Sequence, residues 1–179
     1  IDLSSLASVD GPIYVQSNNE LVTVAMGSVS SADGDVRISS NPELENFDMG
    51  ALTSVEGTFY VYNNYNLENF NMDALEEVTS NFEFVHNETI KTISAPSLAE
   101  VDGNFYINNN YQAEDIQLPA LGVVNSTINI NNNQELETIS LDSLYEVSGY
   151  FEFRDNYRVE IFNLPMLESV GGIFQIEDN

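Results

Sequence analysis

Hydrophobic residues recur along this chain with a constant period of 23 residues. One position of the repeat holds valine seven times and alanine once: Val9, Ala32, Val55, Val78, Val101, Val124, Val147 and Val170. Nine residues further on, every repeat has an asparagine: Asn18, Asn41, Asn64, Asn87, Asn110, Asn133, Asn156 and Asn179. A fixed period without insertions indicates a repeat architecture in which each repeat is one structural unit.

Between the valine and the asparagine, apolar residues alternate with polar or exposed ones. In the third repeat Val55, Phe59 and Val61 face one way, which predicts a long β-strand. The equivalents of the last two are Ile13/Val15, Val36/Ile38, Phe82/Phe84, Phe105/Ile107, Ile128/Ile130, Phe151/Phe153 and Phe174/Ile176. Two residues after the valine stands glycine, replaced only by Ser80 and Ser126. This predicts a corner where a side chain is hard to fit or φ is positive.

Beyond the asparagine the apolar spacing is irregular. Leu67, Phe70, Met72 and Leu75 are spaced in a way that fits neither a continuous helix nor a continuous strand. We expect a short second strand around Phe70 and Met72, followed by a tight turn that contains proline in some repeats. The predicted fold is therefore all-β, a β-solenoid of eight 23-residue coils that forms a single domain over residues 1–179.

The asparagine column stands where the long strand ends and the chain turns inward. Backbone groups lose their sheet partners at such a bend, and a side-chain amide has both the donors and the acceptors to replace them. Amides stacked about 4.8 Å apart, one in each coil, also bond to one another. We therefore predict that the eight asparagines form a structural ladder.

Charge and composition narrow the classes of partner. With 29 acidic and 4 basic residues the formal charge is -25, so nucleic acid and anionic membrane surfaces are poor direct partners. No cysteine is present, which excludes disulfides and thiolate metal sites. No apolar run is long enough to span a bilayer. Because Ile1 and Asn179 both fall within the repeat pattern, we expect a fragment or processed part of a longer chain, or a unit that stacks end to end.

Tyrosine is frequent at the outward positions of the long strand and directly after the ladder asparagine. The candidate ligand-binding residues are Tyr60, Tyr62, Tyr65, Tyr106, Asn108, Tyr111, Tyr150 and Tyr157. Phenol rings and amides suit stacking on sugars or contact with a protein. The alternative is the ordinary preference of an exposed sheet face for tyrosine.

A second column carries charge thirteen residues beyond the valine position: Glu45, Glu68, Lys91, Glu114, Glu137 and Glu160. We interpret it as a solvated charged edge that discourages aggregation. Weakly bound Ca²⁺ is the alternative, although a straight column brings few oxygens to one point. No other cofactor and no metal site are expected.

Support for catalysis is thin. His86 is the only histidine, which excludes multi-histidine metal sites, and we interpret it as a polar turn residue. Arg154 and Arg158 are the only basic residues that cluster near acidic residues in the sequence, here Glu152 and Asp155. No catalytic residue is assigned, and we predict that the protein is not an enzyme.

Two sequons are possible glycosylation sites. Asn87 and Asn125 are each followed two residues later by threonine. Asn87 belongs to the predicted ladder and would lose that role, so Asn125 is the better acceptor.

Segments 118–124 and 164–170 both read leucine-proline-x-leucine-x-x-valine, and the leucine after the turn lies three residues beyond the asparagine, as from Asn64 to Leu67. This order resembles the receptor L-domain type of leucine-rich-repeat solenoid, and within it the fungal cell-wall proteins of the Ecm33/Sps2 kind and related microbial surface proteins. The resemblance covers the whole chain. It implies a right-handed solenoid, an extracellular or wall-attached location and no enzymatic activity.

The leading hypothesis is a non-enzymatic cell-surface or extracellular solenoid, a scaffold or adhesin that binds glycan or protein through its outward sheet face. One alternative is a structural subunit that stacks on itself end to end into a filament or layer. Another is a polysaccharide-active enzyme on the same coil. Ice binding is disfavoured, because no regular outward column of threonine is present.

Overall fold

A computed structural model describes residues 1–179 and shows the predicted fold. The chain is a right-handed parallel β-solenoid without any helix. Seven turns of 23 residues join eight long strands, and every strand pair is parallel with partners 23 residues apart. Each coil has up to three strands, so the solenoid has three walls. We number the coils by their long strands.

The first wall is one eight-stranded sheet of four-residue strands. These strands are β1 (Ile13–Gln16), β4 (Val36–Ser39), β7 (Phe59–Tyr62), β10 (Phe82–Val85), β13 (Phe105–Asn108), β16 (Ile128–Asn131), β19 (Phe151–Arg154) and β21 (Phe174–Glu177).

The second wall consists of three-residue strands in two separate three-stranded sheets. One sheet contains β2 (Thr23–Ala25), β5 (Asn46–Asp48) and β8 (Asn69–Asn71), and the other contains β11 (Thr92–Ser94), β14 (Asp115–Gln117) and β17 (Thr138–Ser140).

The third wall is a seven-stranded sheet of two-residue strands at the valine column. Its strands are β3 (Ser31–Ala32), β6 (Ser54–Val55), β9 (Glu77–Val78), β12 (Glu100–Val101), β15 (Val123–Val124), β18 (Glu146–Val147) and β20 (Ser169–Val170).

The core is a single cluster of 41 buried hydrophobic residues inside the three walls. On the long strands the alternation is as predicted: Phe59 and Val61 are fully buried, while Tyr60 and Tyr62 point outward and are half-buried. Phenylalanines in the same column stack on one another, with ring centroids of Phe59 and Phe82 5.2 Å apart. Burial of branched and aromatic side chains on all three walls stabilises the solenoid.

The predicted long strand is in fact two strands that belong to different walls. The segment of the third coil pairs as Ser54–Val55, turns, and pairs again as Phe59–Tyr62. Gly57 lies in the turn, where a Cβ atom would sit only 2.7 Å from Oδ1 and 2.8 Å from the backbone N of Asp35. Close approach of the preceding coil therefore requires glycine at this corner, which is the first of the two reasons predicted.

The second strand of the coil ends one residue before Met72, which the prediction had included. It spans Asn69–Asn71 around the buried Phe70, and Met72 is buried in the turn that follows. The chain bends at Met72 while keeping that side chain in the core, which explains the irregular apolar spacing.

The asparagine ladder is confirmed. Oδ1 of Asn133 accepts hydrogen bonds from the backbone N of Asn110 at 3.1 Å and from its Nδ2 at 3.3 Å. Nδ2 of Asn133 donates to the carbonyl of Ile107 at 3.0 Å and to Oδ1 of Asn156 at 3.2 Å. The six inner members are fully buried, and Asn18 and Asn179 at the two ends are exposed.

The residue before each ladder asparagine adopts a left-handed conformation, with φ between 52° and 59°. These residues are Ser17, Ser40, Asn63, His86, Asn109, Asn132, Asp155 and Asp178. Asparagine, aspartate and histidine are the side chains enriched in this region among residues other than glycine. The left-handed residue turns the chain so that the asparagine after it points into the core.

The structure contains no helix of the length and apolarity that crossing a membrane requires.

Candidate functional site

The outer face of the eight-stranded sheet carries the central part of the predicted binding surface. Its strands are in register, so Glu83 lies between Tyr60 and Tyr106 in one outward column. In the neighbouring column Val85 lies between Tyr62 and Asn108. The sheet thus brings side chains from three coils onto one surface.

Aromatic rings contact one another on this surface. The rings of Tyr60 and Tyr62 stack with centroids 5.4 Å apart, and the Tyr62 ring meets the His86 ring edge-on at 5.5 Å. The guanidinium carbon of Arg37 lies 4.6 Å from the centroid of the Tyr60 ring, a cation–π geometry. We call Tyr60, Tyr62 and Tyr106, with the neighbouring Arg37 and His86, the tyrosine patch.

The phenols of Tyr60 and Tyr106 are held in the neutral form. Burial raises the pKa of Tyr60, and the charge of Glu83 raises it further. Burial, with Glu83 next, also raises the pKa of Tyr106. Both hydroxyls therefore remain available as donors as well as acceptors well above neutral pH.

The remaining predicted residues lie at other places. Tyr65, Tyr111 and Tyr157 follow the ladder asparagine in the turn between the first and second walls, and Tyr150 directly precedes β19. The Tyr157 hydroxyl donates to Oδ1 of Asp155 at 2.9 Å, and this bond raises its pKa.

The eight candidates thus occupy more than one surface. Asn108 is on the sheet with the patch, and its Oδ1 accepts a hydrogen bond from the backbone N of Asn131 at 2.9 Å.

Arg37 and His86 belong to the patch and Glu83 lies between two of its tyrosines, but none of the three was among the candidates. Arg37 and Glu83 occupy the same repeat position as Tyr60 and Tyr106, so alignment of the repeats carries the signal that would have found them. His86 is the left-handed turn residue of the fourth coil, as the interpretation of a polar turn residue implies, and its Nε2 lies 3.4 Å from Nδ2 of Asn109.

The acidic column is relieved by ion pairs. Lys91 Nζ lies 2.6 Å from Oε1 of Glu114, and Arg158 Nη2 lies 3.6 Å from Oε1 of Glu137. No group of three or more His, Asp or Glu side chains converges in a way that holds a metal ion. Weak Ca²⁺ binding along this column stays a prediction.

The basic cluster noted in the sequence is divided between two surfaces. Arg154 lies on the long sheet with Nη2 3.7 Å from Glu152 Oε2, whereas Arg158 is in the turn and pairs with Glu135 and Glu137.

The two sequons differ in accessibility. Asn87 is fully buried, and its Nδ2 donates to the carbonyls of Val61 at 3.0 Å and Val85 at 3.2 Å. Asn125 is exposed, and its Nδ2 donates to Glu100 and Asp102, each at 2.9 Å. A glycan on Asn87 is incompatible with the ladder, so Asn125 is the acceptor that we predict if either sequon is used.

Comparison of the chain with protein families, with curated proteins and with solved structures gives no match.

Proposed function

We propose that the protein is a non-enzymatic cell-surface or extracellular solenoid that acts as a scaffold or adhesin and binds a glycan or protein through the tyrosine patch. The observation that carries this proposal is the aromatic cluster on the outer face of the eight-stranded sheet. Tyr60 and Tyr62 are stacked there, Arg37 lies over one ring, and Tyr106 stands two coils away.

Such a surface has the chemistry of binding hot spots. Tyrosine and arginine are enriched among the residues that dominate interface energies, and rigid aromatic rings are immobilised at low entropic cost. Apart from Val85 and Tyr14, the rest of the sheet face is polar, which supplies a hydrated rim. The surrounding carboxylates favour neutral or basic partners over anionic ones, because the chain carries a net charge of -25.

The location at a cell surface rests on the resemblance to receptor L-domains and fungal wall proteins of the Ecm33/Sps2 kind. The repeat order and the parallel solenoid are consistent with that family, and membership in it is part of the proposal.

The test is a triple substitution of Tyr60, Tyr62 and Tyr106 by alanine. Glycan arrays and pull-downs from extracellular material identify a ligand of the wild-type protein, and the variant should bind it at least tenfold more weakly, which corresponds to about 1.4 kcal/mol. The matched control is Tyr145→Ala, because this exposed tyrosine lies outside the patch and is not among the candidate residues.

The control should bind as the wild type does. The binding proposal fails if no ligand is found, or if the triple variant keeps the far-UV circular dichroism of the wild type and its full affinity.

A second candidate function is self-assembly by stacking of coils. Phe174 and Ile176 of the last coil are 49% and 50% exposed, whereas the equivalent Phe105 and Ile107 are fully buried under the following coil. Stacking of a second copy on this edge would bury both side chains, as the following coil buries Phe105 and Ile107. Sedimentation velocity distinguishes the two functions, since stacking predicts a mass that grows with concentration.

A further inference from the structure

The second wall of the solenoid is interrupted in two places. In the regular part, the N–H groups of Glu68 and Asn69 both donate to the carbonyl of Glu45 at 3.0 Å. One coil later the equivalent N–H groups of Lys91 and Thr92 have no backbone acceptor, and β8 does not pair with β11. We call this opening the first seam.

The same bonds are missing three coils further on. Glu137 and Thr138 donate to the carbonyl of Glu114 at 2.9 and 3.2 Å, whereas the equivalent Glu160 and Ile161 have no backbone acceptor. Residues 161–163 form no strand. This opening, beside β17, is the second seam.

Both seams open beside a coil with two phenylalanines on its long strand. Only the fourth coil (Phe82 and Phe84) and the seventh coil (Phe151 and Phe153) have phenylalanine at both inward positions. Every other coil has a branched aliphatic residue at one or both. The seams therefore coincide with the largest side chains of the first wall.

Ring contacts across the core explain the coincidence. The Phe84 ring meets the Phe70 ring of the second wall edge-on at 5.7 Å, and the Phe153 and Phe162 rings stack at 4.5 Å. Because the core is close-packed, the extra volume of a second phenylalanine displaces the second wall, and the backbone hydrogen bonds between neighbouring strands of that wall are lost.

The first seam lies toward one end of a groove of about 770 Å³, a volume typical of ligand sites, which runs along the second wall from Thr23 in the first coil to Ser94 in the fourth. Phe47 and Phe70 form its floor, and Phe70, 9% exposed, is the most exposed of the 41 core residues.

Polar groups line the two sides of the first seam without bridging it. Asn71 Nδ2 donates to Asp48 Oδ1 at 2.9 Å on one side, and Ser94 Oγ bonds to Gln117 at 3.5 Å on the other. Only the Thr89 hydroxyl crosses the seam, at one end.

We propose that the first seam binds a neutral oligosaccharide. Sugar hydroxyls both donate and accept, so they suit a groove in which free backbone N–H groups face side-chain amides, hydroxyls and a carbonyl. The apolar face of a sugar ring contacts the small part of the Phe70 ring that is exposed in the groove. Asp48, Glu68 and Asp73 line the same groove and disfavour anionic sugars, since Lys91 is already paired with Glu114.

The second seam differs in its lining. Its groove of about 410 Å³ is lined by Glu137, Thr138, Arg158, Glu160 and Ile161, with no aromatic floor. The ligand is therefore assigned to the first seam, which also lies on a different wall from the tyrosine patch and does not depend on it.

The binding test uses isothermal titration with three hexasaccharides: β-1,4-linked glucose, β-1,4-linked N-acetylglucosamine and α-1,4-linked galacturonate. At least one neutral hexamer should bind at millimolar concentration or below, and galacturonate should bind at least tenfold more weakly. Failure of both neutral hexamers, or equal affinity for the anionic one, overturns the proposal.

The site test is Phe84→Ile, which gives the fourth coil the same inward pair as the fifth, Phe105 and Ile107. The seam should close, so the amides of Lys91 and Thr92 become protected from hydrogen exchange and binding weakens at least tenfold. Phe153→Ile makes the same change at the second seam and should leave binding unaltered.

A second pair of variants leaves the core intact. Ser94→Trp fills the first groove from its wall and should abolish binding, whereas Ser140→Trp places the same residue at the equivalent position of the sixth coil and should not. The assignment is overturned if Ser94→Trp binds normally or if the closed Phe84→Ile protein binds as the wild type does. Binding that survives in the tyrosine patch variant separates this site from that of the proposed function.

Discussion

Replacing a central member of the asparagine ladder tests the feature that the repeats share. Asn133→Ala removes four hydrogen bonds within a fully buried column, two accepted from Asn110 and two donated to Ile107 and Asn156. At about 1 kcal/mol net for each bond, the expected loss in free energy of unfolding is about 4 kcal/mol. The backbone N–H of Asn110 is left buried without its acceptor, which adds to the loss rather than reducing it.

The assay is equilibrium unfolding in urea, followed by far-UV circular dichroism, with the slope and midpoint both fitted. The control is Asn66→Ala, because Asn66 is exposed and its Nδ2 makes only a 3.5 Å contact with Glu43. The control should change the free energy of unfolding by less than about 0.5 kcal/mol. If Asn133→Ala costs less than about 1 kcal/mol, the ladder does not hold the coils together and the reasoning is refuted.

Asn133→Asp adds a test that depends on pH. A protonated carboxyl both accepts from Asn110 and donates to Ile107, whereas a carboxylate cannot donate and is buried. The folded state therefore raises the pKa of this carboxyl above its unfolded value of about 3.9. The variant should match the wild type best below about pH 4 and should lose stability relative to it as the pH rises. A penalty independent of pH contradicts this account.

Two further predictions concern the corner and the tyrosine patch. Gly103→Ala places a Cβ 2.5 Å from Asn81 Oδ1 and 2.6 Å from the Ser80 carbonyl carbon, so the free energy of unfolding in urea should fall by about 1–3 kcal/mol. The control Gly122→Ala meets only the movable Tyr145 ring and should lower it by less than about 0.5 kcal/mol. Equal effects of the two substitutions would contradict the close approach at Gly103. Because burial and Glu83 raise the pKa values of Tyr60 and Tyr106, their contribution to stability is fully present below the unfolded pKa of about 10 and is lost as the pH rises through the folded values. Unfolding measured between about pH 8 and about pH 11 should therefore show a smaller alkaline loss in the variant with Tyr60→Phe and Tyr106→Phe than in the wild type, and an unchanged loss would contradict it.

The regular part of the fold was predictable because it depends on side-chain type at fixed positions. Inward pairs such as Phe59 and Val61 specify the long strand, and the asparagine at every repeat specifies a ladder. The separate two-residue strand at Val55 was missed, because alternation of apolar residues continues across the Gly57 corner although the chain changes walls there.

The irregular part depends on volumes and distances that a repeat pattern does not contain. In the repeat pattern, Phe84 is as acceptable at the inward position as isoleucine. The opening of the second wall beside it is seen only in the structure, where the Phe84 ring contacts the Phe70 ring across the core and β8 and β11 are unpaired. Tyr60 and Tyr62 were identified from their outward positions in the repeat, but their contacts with Arg37 and His86 required the register of the coils.

Residue-resolved amide hydrogen exchange tests most directly the claim that a ladder-stabilised solenoid is opened at defined seams. The account predicts slow exchange at the ladder amides of Asn64 and Asn110, together with fast exchange at Lys91 and Thr92 in the first seam. Fast exchange at the ladder amides, or protection at Lys91 and Thr92 equal to that of the ladder, would contradict it.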